Sequence, residues 1–74
     1  MNYPQIGDEG TLVNLRTGIE VEYYVVGNGP GAGCTLEQMD TAGGHFGYGI
    51  ILAYIDLYNG IYEWRSHRKA MVYL

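Results

Sequence analysis

The chain of 74 residues has a single cysteine, Cys34, one phenylalanine, one tryptophan and two prolines. One thiol excludes an internal disulfide and a zinc cluster built on several thiolates. No apolar run approaches the roughly 18 to 20 residues of a membrane span. The opening Met1-Asn-Tyr-Pro-Gln-Ile6 has neither the basic start nor the apolar core of a signal peptide. A free thiol suits a reducing compartment, so the expectation is a soluble cytoplasmic protein. Charge is also sparse, at 16% of residues, with four bases against eight acids. Residues 1–64 carry all the acids and only Arg16, a net of −7, whereas Arg65, Arg68 and Lys69 give residues 65–74 a net of +3. The acidic majority argues against general nucleic-acid binding, which needs a basic surface.

Against these scarcities stand 47% apolar residues, twelve glycines and eight tyrosines. That apolar content marks a globular chain rather than a disordered one. Most glycines fall between Gly27 and Gly49, which predicts a long irregular connection there. Tyrosine, with an apolar body and a polar tip, suits half-exposed positions and interfaces. With no internal repeat and no linker, residues 1–74 read as one domain with a limited core.

Periodicity predicts an all-β architecture. Thr11–Arg16 is rich in strand formers, and Thr17-Gly18 is a turn. Over 19–26, Ile19, Val21, Tyr23 and Val25 alternate with Glu20, Glu22 and Tyr24, the period of two of a half-buried strand. Gly27–Gly33 is a loop. Thr35-Leu-Glu-Gln38 matches a capping box, which predicts a short helix over about residues 36–42. From Tyr48 the chain turns β again, with Asp56 outside and Ile51, Ala53, Ile55 and Leu57 inside. Asn59-Gly60 signals a two-residue hairpin, followed by a strand over 61–65, a basic turn at 66–69 and a closing strand at 70–74. The predicted core is Val13, Leu15, Val21, Tyr23, Val25, Ile51, Ala53, Ile55, Trp64 and Val72. Five short strands with one short helix and a glycine-rich loop match a small SH3-like barrel in number and spacing.

Three short motifs extend that match: Gly7-Asp-Glu-Gly10, Val21-Glu-Tyr23 with Gly27-Asn-Gly29, and Tyr62-Glu-Trp64. With them the chain resembles small accessory proteins encoded by phages and prophages. The resemblance implies a non-enzymatic, host-directed role and carries no catalytic residue with it.

Other motifs are outweighed by plainer readings. Gly27-Asn-Gly-Pro-Gly-Ala32 fits the letters of a dinucleotide fingerprint, but a two-turn helix in an antiparallel order is not the βαβ unit that motif requires. Cys34, His45, His67 and Asp40 show neither a cysteine-hydrolase signature nor metal-ligand spacing. Glu20 and Glu22 share a strand face, yet a chain this short has little volume for a substrate cleft. No metal or cofactor is expected.

Two surfaces remain. The first is acidic and tyrosine-rich: Glu20, Glu22 and Tyr24, joined by the outward row Ile50, Leu52 and Tyr54. Charges around an aromatic, apolar centre form the layout of a binding hot spot. The expected function is therefore protein binding without catalysis, and the resemblance makes the partner a host enzyme or defence complex that the chain inhibits. The first alternative is a nucleic-acid-binding barrel using Tyr58, Arg65, Arg68 and Lys69, with aromatics on bases and cations on phosphates. The second is a homo-oligomer, a homodimer at its simplest, in which an exposed strand pairs with its twin.

Overall fold

The computed structural model describes residues 3–39 and 45–68, with the side chains of all but 45–48 and 68. The strands are β1 (Glu9–Asn14), β2 (Glu20–Asn28), β3 (Gly33–Met39), β4 (His45–Ala53) and β5 (Tyr62–Arg68), with a single helical turn, α1 (Tyr54–Tyr58), before the last. All five lie in one antiparallel sheet in the order β4-β3-β2-β1-β5. The first four form a meander; β5 then returns to pair with β1, which becomes an interior strand. Among the described residues the sheet does not close on itself, and β4 and β5 are its edges. The expected closing strand at 70–74, with Val72, lies outside the described residues.

The β1–β2 hairpin forms as its sequence predicts, with a longer turn. Asn14 Oδ1 accepts the backbone N–H groups of Arg16 (2.9 Å) and Thr17 (3.2 Å), the side-chain turn that Asn favours. Gly18 then takes φ +77°. The strand therefore ends at Asn14, which leaves Leu15 half exposed instead of in the core.

Where a helix over 36–42 was expected, residues 36–39 belong to β3, and 40–42 lie outside the described residues. Thr35 does not cap a helix; its hydroxyl donates to the Asn28 carbonyl across the hairpin. Cys34 and Leu36 are fully buried while Thr35 and Glu37 turn outward, so a period of two wins over the local capping signal. Pairing on both sides, with β2 and with β4, supplies hydrogen bonds that a two-turn helix lacks. The glycine-rich stretch is the connection between β2 and β3, closed by Gly29 N–H to the Gly33 carbonyl at 3.0 Å, with Gly31 at φ +65°.

The segment after β4 departs from expectation in the opposite direction. The strand stops at Ala53 and residues 54–58 coil into α1. Asn59-Gly60 does not make a two-residue hairpin. Asn59 is right-handed (φ −80°, ψ −2°) and Gly60 left-handed (φ +74°). Gly60 N–H bonds to the Leu57 carbonyl and Ile61 N–H to that of Asp56. This pair of bonds is the Schellman ending of a helix. The change of period moves the inward residues: Leu52 and Leu57 are buried, whereas Ile51 and Ile55 are 59% and 57% exposed. Of the expected inward row Ile51, Ala53, Ile55 and Leu57, Leu57 is inside; Ile51 and Ala53 are out of register by one residue in β4, and Ile55 faces outward on the helical turn.

The core lies on one side of the sheet and consists of Leu12, Tyr23, Val25, Cys34, Leu36, Leu52, Leu57 and Trp64. Burial pushes the Tyr23 phenol above its ordinary range, with Tyr62 adding to the shift. The seam between β1 and β5 is the tightest part. A Cβ at Gly10 would stand 2.7 Å from the Trp64 indole, inside any real contact. The opening Gly7-Asp8 serves the same sheet: Asp8 is buried, its Oδ2 accepts the Gln5 N–H at 3.0 Å, and its carbonyl accepts the Val25 N–H at 2.9 Å.

Two stability measurements test this arrangement. By denaturant unfolding, Leu52→Ala should cost roughly 2–5 kcal/mol and Ile55→Ala less than about 1 kcal/mol. Equal losses would contradict the observed register. Gly10→Ala should destabilise strongly. Gly27→Ala, whose Cβ meets nothing within 4 Å, should stay within about 0.5 kcal/mol of the parent.

Candidate functional site

Alternation along β2 sends Glu20, Glu22 and Tyr24 to the face opposite the core, as their spacing predicts. Register then decides what joins them. Glu20 lies across from Val13 of β1, which faces Glu63 of β5. Glu22 lies across from Thr11, which faces Arg65. Tyr24 lies between Glu9 of β1 and Glu37 of β3. The outer face therefore carries Glu9, Glu20, Glu22, Glu37 and Glu63, with Glu9 and Glu37 flanking Tyr24. Its interior strand carries two short residues, Thr11 and Val13, which are 3% and 5% exposed although they face away from the core.

A polar clasp ties the strands on this face. The Thr11 hydroxyl donates to Glu22 Oε1 at 2.6 Å, and His67 Nε2 touches the same hydroxyl and lies 3.5 Å from Glu22 Oε2. A hydroxyl has one proton, and here it goes to the carboxylate, so the imidazole nitrogen must donate. An activated nucleophile needs the reverse, with the hydroxyl proton passing to the imidazole. The cluster thus links β2, β1 and β5. Beside it Arg65 Nε donates to Glu63 Oε1 at 2.5 Å. That hydrogen bond, and then the charge of Glu63, hold the guanidinium above its ordinary value.

The other half of the expected binding surface is elsewhere. Ile50 lies across from Leu36 and Leu52 across from Cys34, both on the core face. Leu52 is 1% exposed and offers nothing to a partner. Ile50 is partly exposed but lies on the opposite side of the sheet from Glu20, Glu22 and Tyr24, with β3 between the strands. Tyr54 belongs to α1 and stacks on Tyr3, ring centroids 5.0 Å apart. The expected continuity between the acidic face and the row Ile50, Leu52 and Tyr54 is therefore absent. The reason is β3, which separates two strands expected to pair.

Of the basic residues, Arg65 is engaged with Glu63 on the acidic face. The backbone of Arg68 ends β5 across from Glu9, and Lys69 lies outside the described residues. Tyr58 is 69% exposed on α1. The residues expected to turn at 66–69 continue β5 as far as Arg68, so Arg65 and Arg68 belong to an edge strand instead of a loop. Glu37 was hidden by the helix reading of its segment; the alternation Cys34, Thr35, Leu36, Glu37 carried the signal for it.

Cys34 is inside the sheet core and His67 is on the opposite face, so these two form no thiolate–imidazole pair. Burial pushes the Cys34 thiol up to about 11. Among the described residues no three histidine, cysteine or carboxylate groups converge as metal ligands, and no helix is long and apolar enough to cross a membrane. No protein-family model, curated protein or solved structure matches the chain.

The position of Cys34 makes a chemical prediction. The thiolate is the reactive form, so a water-soluble disulfide reagent near pH 8 should label folded protein far more slowly than urea-unfolded protein. Equal rates would show the thiol to be accessible.

Proposed function

We propose that the chain is a non-enzymatic protein-interaction module that binds a basic surface on its partner through the outer face of β1, β2 and β5. The observation that carries this reading is the grouping of Glu20, Glu22 and Tyr24 with Glu9, Glu37 and Glu63 on one sheet face, where Arg65 is engaged by Glu63. Such a field speeds encounter with a cationic surface and rejects polyanions. Tyr24, half-buried among the carboxylates, is the aromatic anchor of the contact. Ile50, Leu52 and Tyr54 have no part in it. The strand count and the return of β5 to β1 support an SH3-like barrel as the complete fold. In keeping with the resemblance to phage accessory proteins, the proposed partner is a host enzyme or defence complex in the cytoplasm, and the proposed effect is inhibition.

The nucleic-acid reading loses ground because Arg65 faces Thr11 and lies beside Glu63 within the acidic face. Two double variants separate the readings. Glu20→Lys with Glu22→Lys should abolish capture of basic partner proteins, whereas Arg65→Ala with Arg68→Ala should leave it intact. Tight oligonucleotide binding, lost only in the arginine variant, would overturn the proposal.

A further inference from the structure

The free edge of β5 has a pattern that fits itself. Leu15 N–H bonds to the Ile61 carbonyl across the β1–β5 seam. In an antiparallel ladder the backbone groups of successive residues point alternately to either side. Ile61, Glu63 and Arg65 therefore face β1, and the N–H and C=O groups of Tyr62, Trp64 and Ser66 point away from the sheet. Among the described residues no strand meets them. Beside this edge runs a cavity of about 520 Å³ lined in part by Leu15, Leu57, Gly60, Tyr62 and Ser66. The turn α1 borders this space and leaves it open. No proline interrupts β5, and its central charges, Glu63 and Arg65, are of opposite sign, so they do not repel a second copy as a row of like charges on an edge would.

We propose that β5 pairs with β5 of a second copy, antiparallel about a two-fold axis at Trp64, to form one continuous ten-stranded sheet. The occupant is fixed by charge. Only registers that set outward-pointing groups opposite outward-pointing groups can bond, which leaves axes at residue 63, 64 or 65 near the strand centre. An axis at 63 sets Glu63 against its own copy, and one at 65 sets Arg65 against its own copy, both repulsive. The axis at 64 sets Glu63 opposite Arg65 twice, at the close non-hydrogen-bonded positions where side chains interact most. It also sets Tyr62 opposite Ser66, whose buried hydroxyl has no hydrogen-bond partner among the described residues. The other edge, β4, has Gly49, Ile50 and Ile51 along its exposed part and no charges there to fix a register. The dimer is isologous and goes beyond the partner reading without depending on it, since Glu20 and Glu22 play no part in the seam.

The test is the mass in solution over a dilution series, with exchange of the two charges. The parent should dimerise. Glu63→Arg or Arg65→Glu alone should weaken the dimer by about tenfold or more, and the two together should restore it. The exposed Glu63–Arg65 pair contributes little to the fold of a single copy, and circular dichroism checks that each variant is folded. A second measurement reads the register directly. Mixed Glu63→Cys and Arg65→Cys proteins should oxidise to a cross-linked heterodimer faster than either variant does alone, because only that pair lies opposite across the seam. A parent that stays monomeric at every concentration, a double exchange that fails to restore association, or homodimeric cross-links forming as fast as mixed ones would each overturn the proposal.

Discussion

The seam between β1 and β5 holds this molecule together, and it depends on an indole lying across a glycine. Trp64 is 3% exposed, and it reaches that position because Gly10, diagonal to it on β1, offers no side chain. Leu12, directly opposite Trp64, continues the same core row to Val21 of β2. With β5 in place, both sides of β1 are hydrogen-bonded and its short side chains are enclosed from either flank. Without β5, Leu12 loses one wall and β1 becomes an edge. The acidic face depends on the same seam, since Glu63 and His67 reach Glu20 and Glu22 only across β1.

Much of this was legible in the residues. The alternation of 19–26 placed Glu20, Glu22 and Tyr24 outside and Tyr23 and Val25 inside, because glutamates opposite valines leave one arrangement that buries apolar area without burying charge. Trp64 lies where its strand predicts, whereas Val13, expected in the core, is buried on the outer face, because Leu12 is the β1 residue that joins the core row. The failures share one cause. Thr35–Gln38 satisfies a helix cap locally but lies between two strands that both need a partner, and pairing on two sides outweighs one capping interaction. Ile50-Ile-Leu-Ala53 is apolar at every position, so its period does not say which residues face in; only Leu52 does so completely, and that choice was set by Cys34 opposite.

Asn59-Gly60 shows how one dipeptide serves two geometries. Glycine with a positive φ ends a helix as readily as it turns a hairpin, and the preceding five residues decide between them. The Tyr54–Tyr58 turn shifts the chain from β4, at one edge of the sheet, toward β5 at the other, a distance a two-residue hairpin does not span. The binding surface suffered from this misreading as well. Without β3 in the expected order, β2 and β4 become neighbours, and an apolar row from the core face joins carboxylates on the opposite side.

The placement of β5 has a consequence for how the protein folds. The contacts of β1 through β4 are mostly between chain neighbours, so the meander closes short loops and forms at little entropic cost. The seam joins Glu9–Asn14 to Tyr62–Arg68, nearly the whole described length apart, and closing that loop sets the pace. Until it closes, the waiting meander exposes the unpaired side of β1 and the apolar side chain of Leu12. A chain cut within β5, or one still waiting for it, therefore presents the hydrogen-bonding edge that makes partly folded sheets aggregate.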